Sequence, residues 1–316
     1  MSSAAGSGQV AVVTDTTAYL PPALIELYDI AQVSLYVGWD GDLRPESEYT
    51  DLDAFYARLR DSPSLPTTSQ PSVGDFLQVY RPLVSAGRDV ASVHIAEGLS
   101  GTCQSAREAA QAIAREGHAG RVAVHDAATG AGGLGCLVVG AARMAQEGAT
   151  LQETLASLSA QRKTLELWFC LDTLEYLRRG GRIGSAAAIA GMALKIKPIL
   201  TFGTEIAPVE RVRTRRRALE RMERHLHELH DRGATDWIVQ HAQAPEDAQR
   251  LVAEGRSAFG TEPLFCTEVG PVLGAHLGAG VLVGGVGCAP ASGAQRAGSA
   301  TGTDSPASRT SGAARP

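Results

Sequence analysis

The chain has 316 residues, 44% of them hydrophobic, and a formal net charge of −5. That length suits two medium-sized lobes better than one core. A net charge without positive excess argues against a nucleic-acid binder, because neutralising phosphates needs a basic surface. The cysteines (Cys103, Cys136, Cys170, Cys266 and Cys288) are scattered, odd in number and form no C-x-x-C pair. That pattern argues against a disulfide framework or a zinc site and suits a reducing cytoplasm. Residues 1–8 are Ser/Gly/Ala-rich without an apolar core, so they do not read as a signal peptide. Residues 270–287 are apolar, but their many glycines, a proline and His276 argue against a transmembrane segment.

Residues 10–13 are a β-branched run ending at Thr14-Asp15-Thr16, a strand running into a loop. Pro21 opens a helix through Tyr28, and residues 30–37 read as a second strand. Thr50 with Asp53 resembles a capping box ahead of a helix that places Phe55, Tyr56 and Leu59 on one face. Ser72 with Asp75 repeats the pattern before Phe76, Leu77, Tyr80 and Leu83. Strands at 89–95 and 121–125 then alternate with helices at 100–115 and 133–146. Such alternation implies a parallel sheet covered on both faces.

The pattern changes after Arg162. A strand at 165–171 precedes two short helices, 173–179 and 185–192, and a strand pair, 196–202 and 206–212, turning at Gly203-Thr204. A long helix over 215–229, a strand at 237–241, a helix over 245–259 and strands at 264–268 and 281–286 complete a second lobe. The expected division is a disordered N-terminus, 1–8; an N-terminal α/β/α lobe, 9–161; a C-terminal mixed α/β lobe, 162–287; and a disordered Ala/Gly/Ser-rich tail, 288–316. The tail lacks large apolar residues, so burial there cannot offset ordering entropy.

Several loops carry chemistry. Gly98-Leu99-Ser100-Gly101-Thr102 joins a strand to a helix, where free N–H groups and the dipole favour an anion. Ser100 adds a hydroxyl, and Gly101 lets a ligand approach the backbone; the alternative is a plain serine N-cap. A serine hydrolase would need G-x-S-x-G, and the final glycine is missing. Thr67-Thr68-Ser69-Gln70-Pro71-Ser72 is a polar loop ahead of a capped helix. Gly130-Ala131-Gly132-Gly133-Leu134-Gly135 matches the dinucleotide spacing G-x-G-x-x-G, with close helix–sheet packing as the other reading. After Gly180-Gly181, a helix stop, Arg182 joins Arg178 and Arg179 in a basic patch that is either a solvated face or a docking surface. His227 and His230 lack the spacing of a zinc helix. His276 sits in a glycine-dense loop, where an imidazole can donate to a carboxylate.

Together these blocks resemble the DegV family, the lipid-binding subunits of bacterial fatty acid kinase. The resemblance rests on Thr14-Asp15-Thr16, Thr68-Ser69-Gln70-Pro71-Ser72, Gly98-Leu99-Ser100-Gly101-Thr102, Leu174-Glu175-Tyr176-Leu177 running to Gly180-Gly181-Arg182-Ile183-Gly184, Ile196-Lys197-Pro198-Ile199-Leu200, and Gly270-Pro271-Val272 to His276. It implies a two-lobed α/β fold, with a parallel-sheet lobe followed by a mixed-sheet lobe, and a long-chain fatty acid such as palmitate or oleate in a tunnel between them. By position, Thr68, Ser100, the Gly101 N–H and His276 look like the carboxylate site, and Arg213 like a buried arginine of that network. Arg182, with Arg178 and Arg179, looks like the docking patch for a separate ATP-dependent kinase subunit. The chain itself has no G-x-x-x-x-G-K-[ST] phosphate loop, so a non-catalytic role is expected, without cofactor or metal. Ala96, Glu97 and Cys103 depart from the family pattern around the head group.

Overall fold

A computed structural model describes residues 10–285, and side chains only outside 190–195. The expected terminal segments 1–8 and 288–316 lie outside the described residues. In the N-terminal lobe, β1 (Ala11–Asp15) is buried along its whole length, as a central parallel strand should be. It is followed by α1 (Pro22–Leu27), β2 (Ala31–Val33), β3 (Tyr36–Trp39), β4 (Asp42–Pro45), α2 (Leu52–Asp61), β5 (Thr67–Ser69) and α3 (Val73–Ser85). Next come β6 (Val90–His94), α4 (Thr102–Glu116), β7 (Val122–Asp126), α5 (Ala131–Gln146) and α6 (Leu151–Thr164). The expected lobe boundary at 161/162 falls in the last turn of α6. Strands β2, β1, β6 and β7 form the parallel sheet in that order.

The strand expected over 30–37 is two strands. Residues 31–33 pair with β1, but Tyr36–Trp39 turns away into a second sheet, ordered β4-β3-β5 and antiparallel. The Leu35 N–H donates to Thr16 Oγ1 at 3.2 Å, which ties down the break between them. The polar loop at 67–69 is β5, with Thr68 opposite Val37. Helix α2 is capped by Asp51, whose Oδ1 accepts from the Ala54 N–H at 2.9 Å, and not by Thr50. The Ser72–Asp75 capping box forms in both directions.

The C-terminal lobe contains β8 (Trp168–Cys170), α7 (Glu175–Arg179), a 3-10 segment (Gly184–Lys195), β9 (Lys197–Phe202), β10 (Ile206–Val212) and α8 (Arg215–Asp231). Then follow β11 (Ile238–Ala242), α9 (Pro245–Phe259), β12 (Phe265–Glu268), α10 (Pro271–Leu277) and β13 (Val281–Gly284). Its six-stranded sheet runs β10-β9-β8-β13-β11-β12. Only the β11–β12 pair is parallel, so the sheet is mixed. The glycine-dense loop expected around His276 is instead the short helix α10, with Pro271 at its first turn.

The two sheets meet on α5, which packs against β1 and β6 on one side and β11 on the other. Helix α5 is buried nearly all round, and one apolar cluster runs through it from Val12 and Val93 to Phe169 and Val283. Its glycines make that possible. A Cβ on Gly132 would fall 2.4 Å from Ile238 Cδ1, and one on Gly135 would fall 2.7 Å from Phe265 Cζ. The Gly130 motif therefore serves close packing, with the helix start filled by protein side chains and not open to a pyrophosphate. Gly132→Val should lower the unfolding free energy by about 1–3 kcal/mol through overpacking, read from urea denaturation at unchanged slope. An unchanged midpoint would show that α5 and β11 do not need this approach.

Candidate functional site

A cavity of about 550 Å³, part of it open to solvent, lies between the lobes. Its apolar wall comes from Leu35, Ile95 and Leu99 on one lobe and Leu177, Phe202 and Ile206 on the other, with Val272, Leu273 and Leu277 of α10. Its polar groups are Thr68, Ser69, Gln70, Ser100, Arg182 and His276. That balance, mostly apolar with a few convergent polar groups, is the ordinary make-up of a small-molecule site.

Thr68 and His276 are distant in sequence but lie together, with Thr68 Oγ1 at 2.8 Å from His276 Nε2. Pairing with β3 places Thr68, and α10 places His276. The imidazole packs against Gly180, where a Cβ would fall 2.4 Å from Nδ1. Gly180 thus ends α7 and also makes room for the ring. Burial and the nearby Arg182 charge push the His276 pKa down to about 4, so the ring is neutral at physiological pH. A neutral ring presents one N–H and one acceptor, the form that can hydrogen-bond a carboxylate without itself carrying a buried charge.

Ser100 lies in the loop after β6, which folds back so that the Leu99 and Ser100 N–H groups donate to Ala96 O. The serine does not cap α4. That helix starts at Gly101 without a side-chain cap, and Ser100 Oγ lies 2.8 Å from Thr102 Oγ1. At Gly101 the Gln70 amide fills the space a side chain would take, with Nε2 at 2.6 Å from where a Cβ would be. Just before, Gly98 passes against the 203–204 turn of the other lobe, where a Cβ would collide with Thr204 O. The departures from the family pattern lie off the cavity. Ala96 and Cys103 are buried, and Glu97 pairs with Arg107.

One arginine is not where the sequence placed it. Arg213 is exposed and does not line the cavity. Ile206, at the start of β10, does line it, and the extended chain from there to Arg213 spans about 23 Å, too far to return to the head group. The more buried arginine nearby is Arg215, which is engaged with Asp247 at 2.6 Å and Asp172 at 3.6 Å. Arg178 pairs with Glu175 at 2.8 Å, and Arg179 donates to Pro63 O at 3.1 Å; both are exposed, as a surface patch should be. Arg182 is exposed too, but it also lines the cavity, and its Nη1 donates to Gly180 O at 2.9 Å.

Sequence reasoning missed one further network. Ser92 Oγ lies 2.6 Å from His94 Nε2, and His94 Nδ1 lies 3.1 Å from Asp15 Oδ2. The order of groups is that of a hydrolase triad. All three side chains are fully buried, however, and Ser92 Oγ is also 2.6 Å from the Tyr80 hydroxyl. No substrate reaches it. Asp15 Oδ2 also accepts from the Ile95 N–H at 3.0 Å, so the network fixes the end of β6 where Ile95 meets the cavity. The alternation of Ser92 and His94 along an apolar strand was its only signal. Ser100, the nucleophile a hydrolase would use, has a hydroxyl and not a base as its partner. Among the described residues no cluster of acidic, histidine or cysteine side chains could hold a metal ion.

The family model described as an uncharacterised protein of the DegV family matches residues 9–288. A DegV domain-containing protein of Listeria innocua is 35% identical over 277 residues, 87% of this chain and 96% of that one. The crystal structure of DegV from Bacillus subtilis, a fatty acid binding protein, superposes with a TM-score of 0.80 at 32% identity, covering 89% of this chain and 99% of that one. A DegV family protein from Thermus thermophilus, described for its fatty acid binding, gives a TM-score of 0.78 at 31% identity, with 89% and 99% covered. With the two-lobed fold and its matching loops in place, this chain belongs to the DegV family.

Proposed function

We propose that this protein binds a long-chain fatty acid, palmitate- or oleate-like, in the cavity between its lobes and presents the carboxylate to a separate ATP-dependent fatty acid kinase subunit. The observation that carries the binding is the Thr68–His276 pair, with Ser100 also on the wall of a mostly apolar cavity. Each buried methylene contributes about 0.8 kcal/mol, so a long chain supplies roughly 10 kcal/mol of gross binding before ordering costs. A carboxylate taken out of water must be hydrogen-bonded or paired. The Thr68 hydroxyl, accepting from His276 Nε2–H, and the Ser100 hydroxyl can donate to it, and the Arg182 guanidinium adds the positive charge.

The kinase step follows from the family resemblance and from a site with donors for an acid but no base on Ser100. The chain then acts as a non-catalytic carrier that offers an acyl carboxylate for phosphorylation elsewhere. A cytoplasmic location suits this role. Among the described residues no helix is long and apolar enough to cross a membrane, and Cys103, Cys170 and Cys266 are free thiols.

Titration of delipidated protein with oleate tests the site. Thr68→Ala and Ser100→Ala should each weaken binding by about ten- to a hundredfold, the loss of one hydrogen bond to a charged group, with unfolding nearly unchanged. Wild-type affinity in both variants would place the carboxylate elsewhere.

The arginines separate carrying from docking. The double variant Arg178→Ala, Arg179→Ala should keep oleate affinity while slowing acyl phosphate formation with the kinase subunit, and salt should mimic it. Arg182→Ala should lower both, since Arg182 faces the cavity. Unchanged acyl phosphate formation in the double variant would move the docking surface off this patch.

A further inference from the structure

Helix α10 supplies His276 to the polar group and Val272, Leu273 and Leu277 to the apolar wall. Its position therefore sets both halves of the site. Its start has no side-chain cap of its own. It is held from the other lobe. The Val272 N–H donates to Glu46 Oε1 at 2.7 Å, and the Leu273 N–H donates to the Tyr19 hydroxyl at 3.0 Å. The same hydroxyl donates to Glu46 Oε1 at 2.9 Å, which closes a three-membered clamp. Gly270 makes room for it: a Cβ there would fall 2.5 Å from the Tyr19 ring and 2.9 Å from Glu46 Oε1. The Tyr56 hydroxyl adds a contact from α2, donating to Val269 O at 2.7 Å.

Glu46 is only 5% exposed and follows directly on β4. That strand belongs to the same small sheet, β4-β3-β5, whose other edge carries Thr68. One sheet thus presents Thr68 and also grips the helix that presents Thr68's partner, His276.

We propose that Glu46, with Tyr19, is a positioning residue of the fatty-acid site: it fixes α10 against the sheet bearing Thr68, and it does so as a hydrogen-bond acceptor rather than as a charge. The proposal rests on the fatty-acid reading above. The surroundings of Glu46 fit an acceptor role. The phenols of Tyr19 and Tyr56 and the Thr16 hydroxyl face it, and the charged neighbour acting on it is another carboxylate, Asp15. Burial raises the Glu46 carboxyl from its ordinary 4.5 to about 7. Between those values the folded chain keeps a proton that the unfolded chain releases, so Glu46 costs stability progressively as pH rises across the window. An amide in its place offers the same acceptor without that cost.

The test compares Glu46→Gln, Glu46→Ala and Tyr19→Phe with the wild type by oleate titration, by hydrogen exchange at the Val272 and Leu273 amides without ligand, and by thermal unfolding between about pH 5 and pH 8. Glu46→Gln should keep wild-type affinity and slow exchange, and should gain stability over the wild type as pH rises. Glu46→Ala should lose about tenfold in affinity and exchange fast at both amides, with Tyr19→Phe losing affinity in the same direction. If Glu46→Ala does not fold, Glu46→Gln and Tyr19→Phe decide by the same readouts. The clamp is overturned if removing the acceptor leaves exchange slow and affinity intact, or if Glu46→Gln falls as far as Glu46→Ala. Exchange reads the clamp without lipid, so a wild type that ignores oleate would overturn the fatty-acid reading separately.

Discussion

Two sheets can share one helix only if that helix is narrow on both faces. Helix α5 meets this condition toward the C-terminal sheet with glycine, at Gly132 against Ile238 and Gly135 against Phe265. The lobes are therefore held at fixed spacing by dispersion and apolar burial through a continuous core. The cavity exists because the contact continues beyond α5 along loops that do not pack flat. Gly98 touches the Thr204 turn, Gln70 covers the start of α4, and between them apolar side chains from both lobes face a gap.

The chemistry of that gap is set by what a buried carboxylate needs. Hydroxyl donors backed by a neutral imidazole satisfy an acid at less desolvation cost than a fixed buried ion pair, because they need not carry charge when the site is empty. His276 is held in the neutral form by burial and by Arg182. The arginine itself stays exposed, where its charge is solvated. Support for the donors comes from groups remote from the ligand: Asp15 and His94 fix the end of β6, and Glu46 and Tyr19 fix α10.

Much of the fold was legible because it rests on local rules. The buried run Ala11–Asp15, the Ser72–Asp75 box and the alternation of strands and helices give the parallel lobe, and Pro245–Phe259 shows its helix from end to end. What failed depends on partners distant in sequence. Periodicity cannot show that 30–37 changes sheets at Ser34-Leu35, or that 67–69 pairs with β3. The glycines around His276 suggested a loop, yet Gly270 and Gly274 accommodate Tyr19 and Tyr56 beside a helix. In the site, Thr68, Ser100 and His276 were named from their loops, and all three line the cavity. Arg213 was misplaced because strand length carries it away from the cavity; Arg182 is exposed, as its position after a helix stop suggests, and also lines the cavity. Glu46 gave no signal at all: a lone glutamate among acidic hairpin residues shows neither its burial nor its partner.

The most direct measurement is a crystal structure of the protein soaked or purified with oleate. The account predicts the carboxylate within hydrogen-bond distance of Thr68 Oγ1 and Ser100 Oγ, beside His276, with the acyl chain along Ile95, Phe202 and Leu273 between the lobes. An acid bound with its carboxylate away from these groups, or only on the outer surface with the cavity unfilled, would contradict it.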